Sequence, residues 1–293
     1  MAKAAEPSAM PMSQQRVTNV HLQRMKDKGE LISMVGTAAC DALWVAACER
    51  AGVNLVRYTA PGESSAQRAE DMKWHTRNIR KLAPNINLNA VMQSSTYADK
   101  YSAVRYASEL LTEGADSVMA MGVTNDTLKY MTENWVPVFG HVGCLSGWHS
   151  MWHGGYARVG KTAADAMQVF RGAYEYQELG MIGMTIEMTS REVTDLIAKK
   201  LRVPVIQVAA GGAADGSELV IFDLLGFQPV STMPKHAKYY RSYFEDGIKA
   251  FAEFDADVKG KVYPAEAHGW GMDEKELDAF ANELEKKYPD VKK

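Results

Sequence analysis

Short apolar runs and longer stretches of helical spacing alternate along this chain, and this repetition constrains the fold more than any other feature. We predict strands at residues 31–35, 53–58, 86–92, 116–121, 136–139, 181–188 and 203–208. The intervening segments predict helices at 41–51, 70–81, 98–113, 125–134, 162–179 and 190–200. Strands that alternate with helices pair in parallel through right-handed crossovers, and about eight such units close into a barrel. The sequence therefore predicts an α/β fold, a single-domain (β/α)8 TIM barrel.

The predicted barrel occupies residues 17–270, between two segments of different composition. Residues 1–16 are rich in Ala, Pro, Ser and Met, predict a disordered arm, and lack the apolar core of a signal peptide. Residues 271–293 are strongly charged and predict a C-terminal surface helix. No apolar run approaches the roughly 18 residues of a membrane span. We therefore expect a cytoplasmic protein.

Charge and cysteine content narrow the class of partner. The 33 basic and 36 acidic side chains give a net charge of −3, which argues against the basic surface of a nucleic-acid-binding protein. The three cysteines, Cys40, Cys48 and Cys144, form no C-x-x-C pair, as expected for thiols in a reducing compartment. A small-molecule substrate is the predicted partner.

Two side chains stand where barrel enzymes carry their chemistry, at the C-terminal ends of strands. Glu187 ends an apolar strand, and its poor solvation predicts a raised pKa suited to general acid–base work. His141 follows the predicted strand 136–139, where its ring would face the barrel mouth. The alternatives are a salt-bridged structural carboxylate and a histidine bonded to backbone. From position alone, the catalytic and the structural interpretation both stay open for each residue.

Several segments resemble the ketopantoate hydroxymethyltransferase family, in order along the chain. Val136-Pro-Val-Phe-Gly-His-Val-Gly143 is similar to that family's "IPVMGHIGLTPQS", and Gly154-Gly-Tyr-Ala-Arg-Val-Gly-Lys161 to its "GGYRVQGK". Glu70-Asp-Met-Lys-Trp-His-Thr76 resembles "DDMxxHT". Further matches are Ala214-Asp-Gly216 with Phe222-Asp-Leu-Leu-Gly226, Pro234-Lys-His-Ala-Lys-Tyr239 and Tyr263-Pro-Ala-Glu-Ala-His268. The resemblance spans nearly the whole chain and places it in the phosphoenolpyruvate/isocitrate lyase superfamily.

The resemblance implies an aldol-type reaction. In that family a divalent metal, usually magnesium, chelates 3-methyl-2-oxobutanoate and stabilises its enolate as a Lewis acid. The enolate attacks the one-carbon unit of methylenetetrahydrofolate. Family members assemble into decamers, so a homo-oligomer is implied here. In the family's "LECVP" motif, the glutamate matches Glu187 of this chain.

The residues expected to bind the metal depart from the family pattern. Ala60 stands where the family has the aspartate of "VGDS", and Val91 at or near the aspartate of "ADxPF". Met119-Ala-Met-Gly122 replaces "KLEGG", with the loss of a lysine and a glutamate. Magnesium prefers oxygen ligands, which these side chains do not supply. We predict no metal site of the family type; a site rebuilt with Glu63 or Asp126 is the alternative.

The predicted pocket is therefore less charged and more aromatic than the family's. Its substrate-binding candidates are polar residues Thr59, Ser64 and Ser65, and larger side chains Tyr58, Met92, Met121 and Trp148. His149 and His153, four residues apart, are a weaker candidate for a soft metal pair, and Trp152 lies between them. The loop containing Gly211-Gly212 and Asp215-Gly216 either seats an anion on backbone amides or is a plain turn.

Three functions remain open at this point. The first is a hydroxymethyltransferase-like C–C bond enzyme that uses aldol or retro-aldol chemistry, with Glu187 as acid–base and His141 donating to the oxyanion. The second is a genuine 3-methyl-2-oxobutanoate hydroxymethyltransferase with a displaced magnesium site. The third is a non-catalytic paralogue that binds a ligand, against which the retention of both His141 and Glu187 argues.

Overall fold

The structure of the protein is a computed structural model. It describes residues 16–37, 41–92, 96–145, 150–151, 154–212, 214–232 and 234–289. The predicted arm therefore lies almost wholly outside the described residues. The chain divides into two compact units, Met1–Arg241 and Ser242–Lys293.

The first unit is built on eight parallel strands. They are β1 (Ile32–Thr37), β2 (Leu55–Tyr58), β3 (Asn87–Val91), β4 (Ser117–Met119), β5 (Phe139–Gly143), β6 (Gly183–Glu187), β7 (Val205–Val208) and β8 (Gly216–Val220). Their order is β4-β3-β2-β1-β8-β7-β6-β5. An isolated parallel bridge between Val118 and Val138 joins the two outer strands, so the sheet is a nearly closed barrel. The predicted fold class is confirmed.

Helices follow or precede these strands in the first unit. They are α1 (Asn19–Lys28), α2 (Ala42–Arg50), α3 (Ser65–Leu82), α4 (Lys100–Thr112), α5 (Asn125–Glu133), α6 (Ala163–Glu178), α7 (Arg191–Lys200) and α8 (Ile221–Leu225). Side chains of Asp41, Ser64, Asp99 and Thr162 cap four of them by accepting bonds from first-turn amides. These local signals explain why most helix positions were predictable.

The predicted strand list was wrong at two positions. Strand β8 was missed because Gly216-Ser-Glu-Leu-Val220 is not a continuous apolar run, and no helix separates it from β7. Strand β5 lies later than the predicted 136–139, because Pro137 has no amide hydrogen for the sheet. His141 is consequently within the strand rather than after it.

The core has an apolar layer between strands and helices, and a barrel interior that contains both polar and apolar side chains. Val56, Leu88 and Val118 are fully buried against the helices, with Ile79 and Leu110 on the helix side. Alternate residues of the same strands point inward, because side chains of a strand alternate between its faces. The inward set includes the buried polar residues Arg57, Asn89, Ser117, Thr185 and Glu218, and buried apolar residues such as Leu55 and Phe139. This layer lies beneath the mouth of the barrel.

The second unit contains α9 (Tyr243–Lys259) and α10 (Glu274–Lys287). Neither helix has a buried residue, and both carry large exposed apolar side chains, including Phe251 and Phe280. The predicted boundary of the barrel domain at residue 270 stays a prediction. Among the helices of the described residues, none is long and apolar enough to cross a membrane.

Candidate active site

Glu187 lies at the C-terminal end of β6 and contacts two other side chains through its carboxylate. Its Oε2 is 2.8 Å from Nε2 of His141, and the hydroxyl of Tyr156 donates to its Oε1. The Glu187 and His141 side chains are both more than nine-tenths buried, whereas Tyr156 is 52% exposed. We call Glu187, His141 and Tyr156 the carboxylate cluster. It holds a buried anion between the donating hydroxyl of Tyr156 and the imidazole of His141 at the barrel mouth.

The pairing register of β5 and β6 brings Glu187 and His141 together. Strands β5 and β6 run in parallel with His141 opposite Thr185 and Gly143 opposite Glu187. His141 therefore lies two residues earlier on its strand than Glu187 on its own, and both face the interior. Gly143 has φ +90°, and a Cβ there would overlap the carbonyl oxygen of Glu187. Only glycine allows the two strand ends to approach this closely.

Backbone contacts fix the position of Glu187 and place Tyr156 beside its carboxylate. The carbonyl oxygen of Glu187 accepts bonds from the amide of Cys144, at 2.9 Å, and from the hydroxyl of Thr189, at 3.2 Å. A parallel bridge joins Val159 to Thr189, just beyond the end of β6. This bridge docks the segment that contains Tyr156 beside the strand end.

A second buried charge, Arg57, lies one layer deeper in the barrel. Its Nη1 donates to Glu218 at 2.8 Å, its Nη2 to Thr185 at 2.7 Å and its Nε to Asn89 at 2.9 Å. Burial lowers the pKa of Arg57, while the negative charges of Glu218 and Glu187 oppose that effect. The guanidinium thus supplies positive charge beneath the carboxylate cluster.

The pKa of Glu187 is shifted in the opposite direction to the one predicted. Burial raises the pKa of Glu187, but the hydrogen bonds and charge of His141, the hydrogen bond of Tyr156 and the charge of Arg57 outweigh it. The pKa therefore lies below the ordinary value, and the predicted raised pKa was wrong. Burial alone raises the pKa of a carboxyl group, but hydrogen bonds to the ionised form lower the pKa and can outweigh the effect of burial. Burial and the adjacent Glu187 raise the pKa of Tyr156, which stays a protonated donor.

Two predicted pocket residues point elsewhere. Tyr58 is fully buried, and its hydroxyl lies 2.8 Å from that of Thr76 on α3. Met92 is also part of the core between strands and helices. The structure does not bring either side chain to the carboxylate cluster.

The remaining predicted substrate residues are distributed over several loops. Thr59 is buried just after β2, and Met121 is half-buried beyond β4. Ser64 is the exposed N-cap of α3 and accepts the amide of Gln67. Trp148, His149, Trp152 and His153 lie outside the described residues, as does the side chain of Ser65. Substrate contacts for this set stay a prediction.

The side chains at the family's metal positions do not fit a magnesium ion. Ala60 is fully buried, and its amide contacts the sulfur of Met72. Ala60, Val91 and Met121 offer no side-chain oxygen, and magnesium requires such ligands. Asp126 has its side chain 74% exposed and pairs with Lys100. Glu63 is exposed on the loop before α3.

The glycine-rich loop after β7 is organised by a side chain. Oε1 of Gln207 accepts the amides of Ala210, at 3.1 Å, and Gly211, at 2.8 Å. Those amides are therefore committed within the protein, as in a plain turn. Asp215 lies at the opposite end of the barrel, where it pairs with Lys26.

Sequence reasoning missed three residues of this site. Tyr156 stands inside a motif that resembles the family's, but its role depends on the bridge at Val159. Arg57 was visible as the only charge in the apolar run 53–58. Its partner Glu218 was missed together with strand β8. No local pattern indicates that Arg57 and Glu218 meet.

Comparison with known proteins identifies the family of this chain. The family model described as ketopantoate hydroxymethyltransferase matches residues 16–266. A 3-methyl-2-oxobutanoate hydroxymethyltransferase of Hyperthermus butylicus is 34% identical over 269 residues, 88% of this chain and 92% of that protein. The enzyme of the same name from Geobacillus kaustophilus is 33% identical over 271 residues, 87% and 95% of the two chains.

Solved structures support the fold at low sequence identity. A 2,3-dimethylmalate lyase of the PEP mutase/isocitrate lyase superfamily superposes with a TM-score of 0.52 at 12% identity, covering 94% of this chain and all of that one. An oxaloacetate acetylhydrolase gives a TM-score of 0.53 at 11% identity, covering 94% and 98% of the two chains. With the family match over most of its length, this chain belongs to the ketopantoate hydroxymethyltransferase family.

Proposed function

We propose that this protein forms or cleaves the bond between a hydroxymethyl carbon and C3 of a 2-oxo acid, with Glu187 as the proton-transferring group. The carboxylate cluster is the observation that carries the proposal. Membership of the family supplies the reaction class, and the cluster retains a buried, ionised carboxylate at the mouth of the barrel. A barrel without catalytic function has no need to bury this charge.

The chemistry balances in either direction. In the addition direction, the carbon next to the carbonyl loses a proton and the resulting enolate attacks formaldehyde; a C–C bond forms, the π bond of the formaldehyde carbonyl breaks, and its oxygen takes up the proton. With methylenetetrahydrofolate as donor, the bond from the one-carbon unit to a folate nitrogen breaks, that nitrogen takes up a proton, and water supplies the hydroxyl group. In cleavage, the hydroxymethyl oxygen loses its proton, the C–C bond breaks to release formaldehyde, and the enolate is protonated on carbon. Both directions need a group that accepts a proton and later returns one.

The carboxylate cluster suits this role because Glu187 is ionised near neutral pH and accepts a proton without prior activation. Tyr156 holds one carboxylate oxygen and His141 the other, which fixes the orientation of the group. Arg57 adds positive charge below the cluster, where negative charge develops on the substrate. His141 as donor to the oxyanion remains a proposal, since its Nε2 faces Glu187 in the structure.

The family's magnesium would supply Lewis-acid stabilisation of the enolate, but Ala60, Val91 and Met121 do not fit that ion. The same substitutions support a reworked pocket that takes a 2-oxo acid related to 3-methyl-2-oxobutanoate, with methylenetetrahydrofolate or formaldehyde as the one-carbon partner.

The first experiment is an assay with 3-methyl-2-oxobutanoate and methylenetetrahydrofolate, with and without Mg²⁺, beside elemental analysis of the purified protein. Metal-dependent formation of ketopantoate would overturn the reworked pocket. An inactive, metal-free protein would direct the assay to other 2-oxo acids and to formaldehyde release from their hydroxymethyl derivatives.

Glu187→Gln tests the assignment of the proton-transferring group. Glutamine preserves size and much of the hydrogen bonding but does not accept the proton, so kcat falls by about 10²- to 10⁴-fold while the protein stays folded. Glu109→Gln, on the surface of α4, is the matched control and keeps full activity. Equal turnover by Glu187→Gln and wild type would remove Glu187 from the mechanism.

Assembly and location are further proposals that rest on family membership. We infer a homo-oligomer, with a decamer as the expected form, in the cytoplasm. Light scattering after size-exclusion chromatography measures the mass against the 32.4 kDa of one chain.

A further inference from the structure

A cavity of about 200 Å³ lies between strand β5 and helix α6. His141, Val142 and Gly143 line it on the strand side, and Gln168 and Gly172 are among its lining residues on the helix side. Gln168 is exposed, so the cavity leads from the end of the strand to the protein surface. Because one water molecule needs only about 10–15 Å³ of such volume, the cavity has room for a short chain of water molecules.

The imidazole of His141 contacts Glu187 and also belongs to the wall of this cavity. Its Nε2 is 2.8 Å from Oε2 of Glu187, a separation over which a proton can be transferred. Among the residues that the structure describes, neither ring nitrogen makes a well-aligned hydrogen bond, and Nδ1 has no close polar neighbour. Buried polar atoms in proteins are as a rule bonded to protein groups or to ordered water. Water in the adjoining cavity is the natural partner for Nδ1.

The cavity wall offers further polar groups to such water. Asp165, Gln168 and Tyr176 line the cavity together with His141. Asp165 uses Oδ2 to accept the amide of Lys161, at 2.9 Å. Burial raises the pKa of Tyr176, so its hydroxyl stays a protonated donor. A buried water needs two to four polar partners, and residues of this wall together with Nδ1 supply them.

Glu187 has two neighbours through which its proton could pass to solvent. Tyr156 donates its hydroxyl to Oε1, and its raised pKa keeps that hydroxyl protonated, so it does not take up a second proton. An imidazole accepts a proton on one nitrogen and releases one from the other. Of the two neighbours, only His141 therefore has the chemistry of a proton carrier.

We propose that His141 relays protons between the carboxyl group of Glu187 and water in the cavity between β5 and α6. The proton on Glu187 passes to Nε2, and the hydrogen on Nδ1 passes to a cavity water. Rotation of the ring then exchanges the Nε2 hydrogen with water and restores the starting tautomer. One proton leaves Glu187 and one enters the solvent, with no change of electrons. The inference rests on the proposed function and adds the route by which Glu187 regains its ionised form.

Hydrogen exchange at C3 of the 2-oxo acid reports on this relay, because the abstracted hydrogen must leave Glu187 before solvent hydrogen can replace it. The assay follows loss of the C3 hydrogen of 3-methyl-2-oxobutanoate in D2O by NMR, without a one-carbon donor. The comparison reaction is addition to formaldehyde, in which the proton passes from C3 through Glu187 to the new hydroxyl without reaching solvent. Loss of the relay slows exchange more than addition, whereas a general loss of site geometry slows both alike.

Gly172→Leu fills the cavity without altering the carboxylate cluster. In the described part of the chain, no atom lies within 4 Å of a Cβ built at Gly172, so a leucine side chain has space there. We expect exchange to fall by about tenfold or more while addition stays within about twofold of wild type, since proton transfer by a positioned group contributes about 10²-fold or more. Gly172→Ala is the matched control, because one methyl group leaves most of the cavity open. Both substitutions place a better helix former in α6, so the fold is retained.

His141→Ala tests the imidazole itself. Exchange should fall by about 10²-fold or more, and added imidazole should restore part of it by occupying the space of the deleted ring. The restored rate should change when methylimidazoles of different pKa replace imidazole, because proton transfer depends on the strength of the base. In the double variant that also carries Gly172→Leu, imidazole should not restore exchange.

Failure of the relay and failure of the proposed function give different results. Wild-type exchange in Gly172→Leu, or exchange and addition that fall in proportion, would overturn the relay and leave the function in place. A crystal structure of the wild-type protein is an independent check: we expect a water bonded to Nδ1 of His141, and a protein side chain bonded there would also overturn the relay. A water at Nδ1 in a protein without exchange or addition on any 2-oxo acid would retain the path and contradict the function.

Discussion

Removing the Tyr156 hydroxyl tests the electrostatic account of the carboxylate cluster. Tyr156→Phe keeps the ring and deletes one hydrogen bond to a buried carboxylate. Hydrogen bonds to charged groups contribute about 1.5–3 kcal/mol, and the half-exposed ring places this one near the lower limit. If the bond orients Glu187 in the transition state, a loss of about 1.5 kcal/mol lowers kcat by roughly tenfold.

Tyr156→Phe should also shift the pH dependence of activity in a defined direction. Tyr156 helps to keep the pKa of Glu187 below its ordinary value, so its loss raises that pKa. The acid limb of kcat/KM should therefore move to higher pH in Tyr156→Phe. Glu187 stabilises the fold above its unfolded pKa of about 4.3, and that contribution is lost as pH falls through the lowered folded pKa. The stability difference between variant and wild type should shrink as the pH is lowered through this window.

The assays are pH profiles of kcat/KM and urea unfolding at neutral and acidic pH. Tyr174→Phe is the control, because its half-exposed ring stacks on Phe170 and is on helix α6, away from the cluster. An unchanged acid limb in Tyr156→Phe, or a shift to lower pH, would refute the assigned role. A loss of stability that does not depend on pH would place the effect in packing instead.

Substitutions at Arg57 and at Gly143 test the contacts that support the carboxylate cluster. Arg57→Met leaves Glu218 as an unpaired buried charge and should lower the free energy of unfolding by about 3–5 kcal/mol; adding Glu218→Leu should restore part of it. Urea titration of Arg57→Met, Glu218→Leu and the double variant measures these free energies of unfolding. If the two losses simply add in the double variant, Arg57 and Glu218 do not form a direct ion pair. Gly143→Ala should cost more stability than Gly52→Ala, since both have positive φ but only position 143 meets neighbouring atoms. Equal losses in thermal unfolding would show that φ alone matters.

The alternating pattern of the sequence determined the fold class, because apolar runs separated by helical segments leave few solutions other than parallel βαβ units. It also placed Glu187 at the end of a barrel strand, whereas it placed His141 just after a strand that in fact contains it. Helical spacing placed most helix starts within a few residues, although α3 begins at Ser65 rather than at the predicted residue 70. These features depend on neighbours in the chain, so they are readable without a structure.

The tertiary structure decided the chemistry of the site. Tyr156 reaches Glu187 only because a bridge docks its segment at the end of β6, and Arg57 meets Glu218 from strands that are distant in sequence. The sign of the Glu187 pKa shift depends on those partners, because burial and hydrogen bonding act in opposite directions. Contacts between residues far apart in the chain leave no periodic trace in the sequence, and in this protein they set the electrostatics.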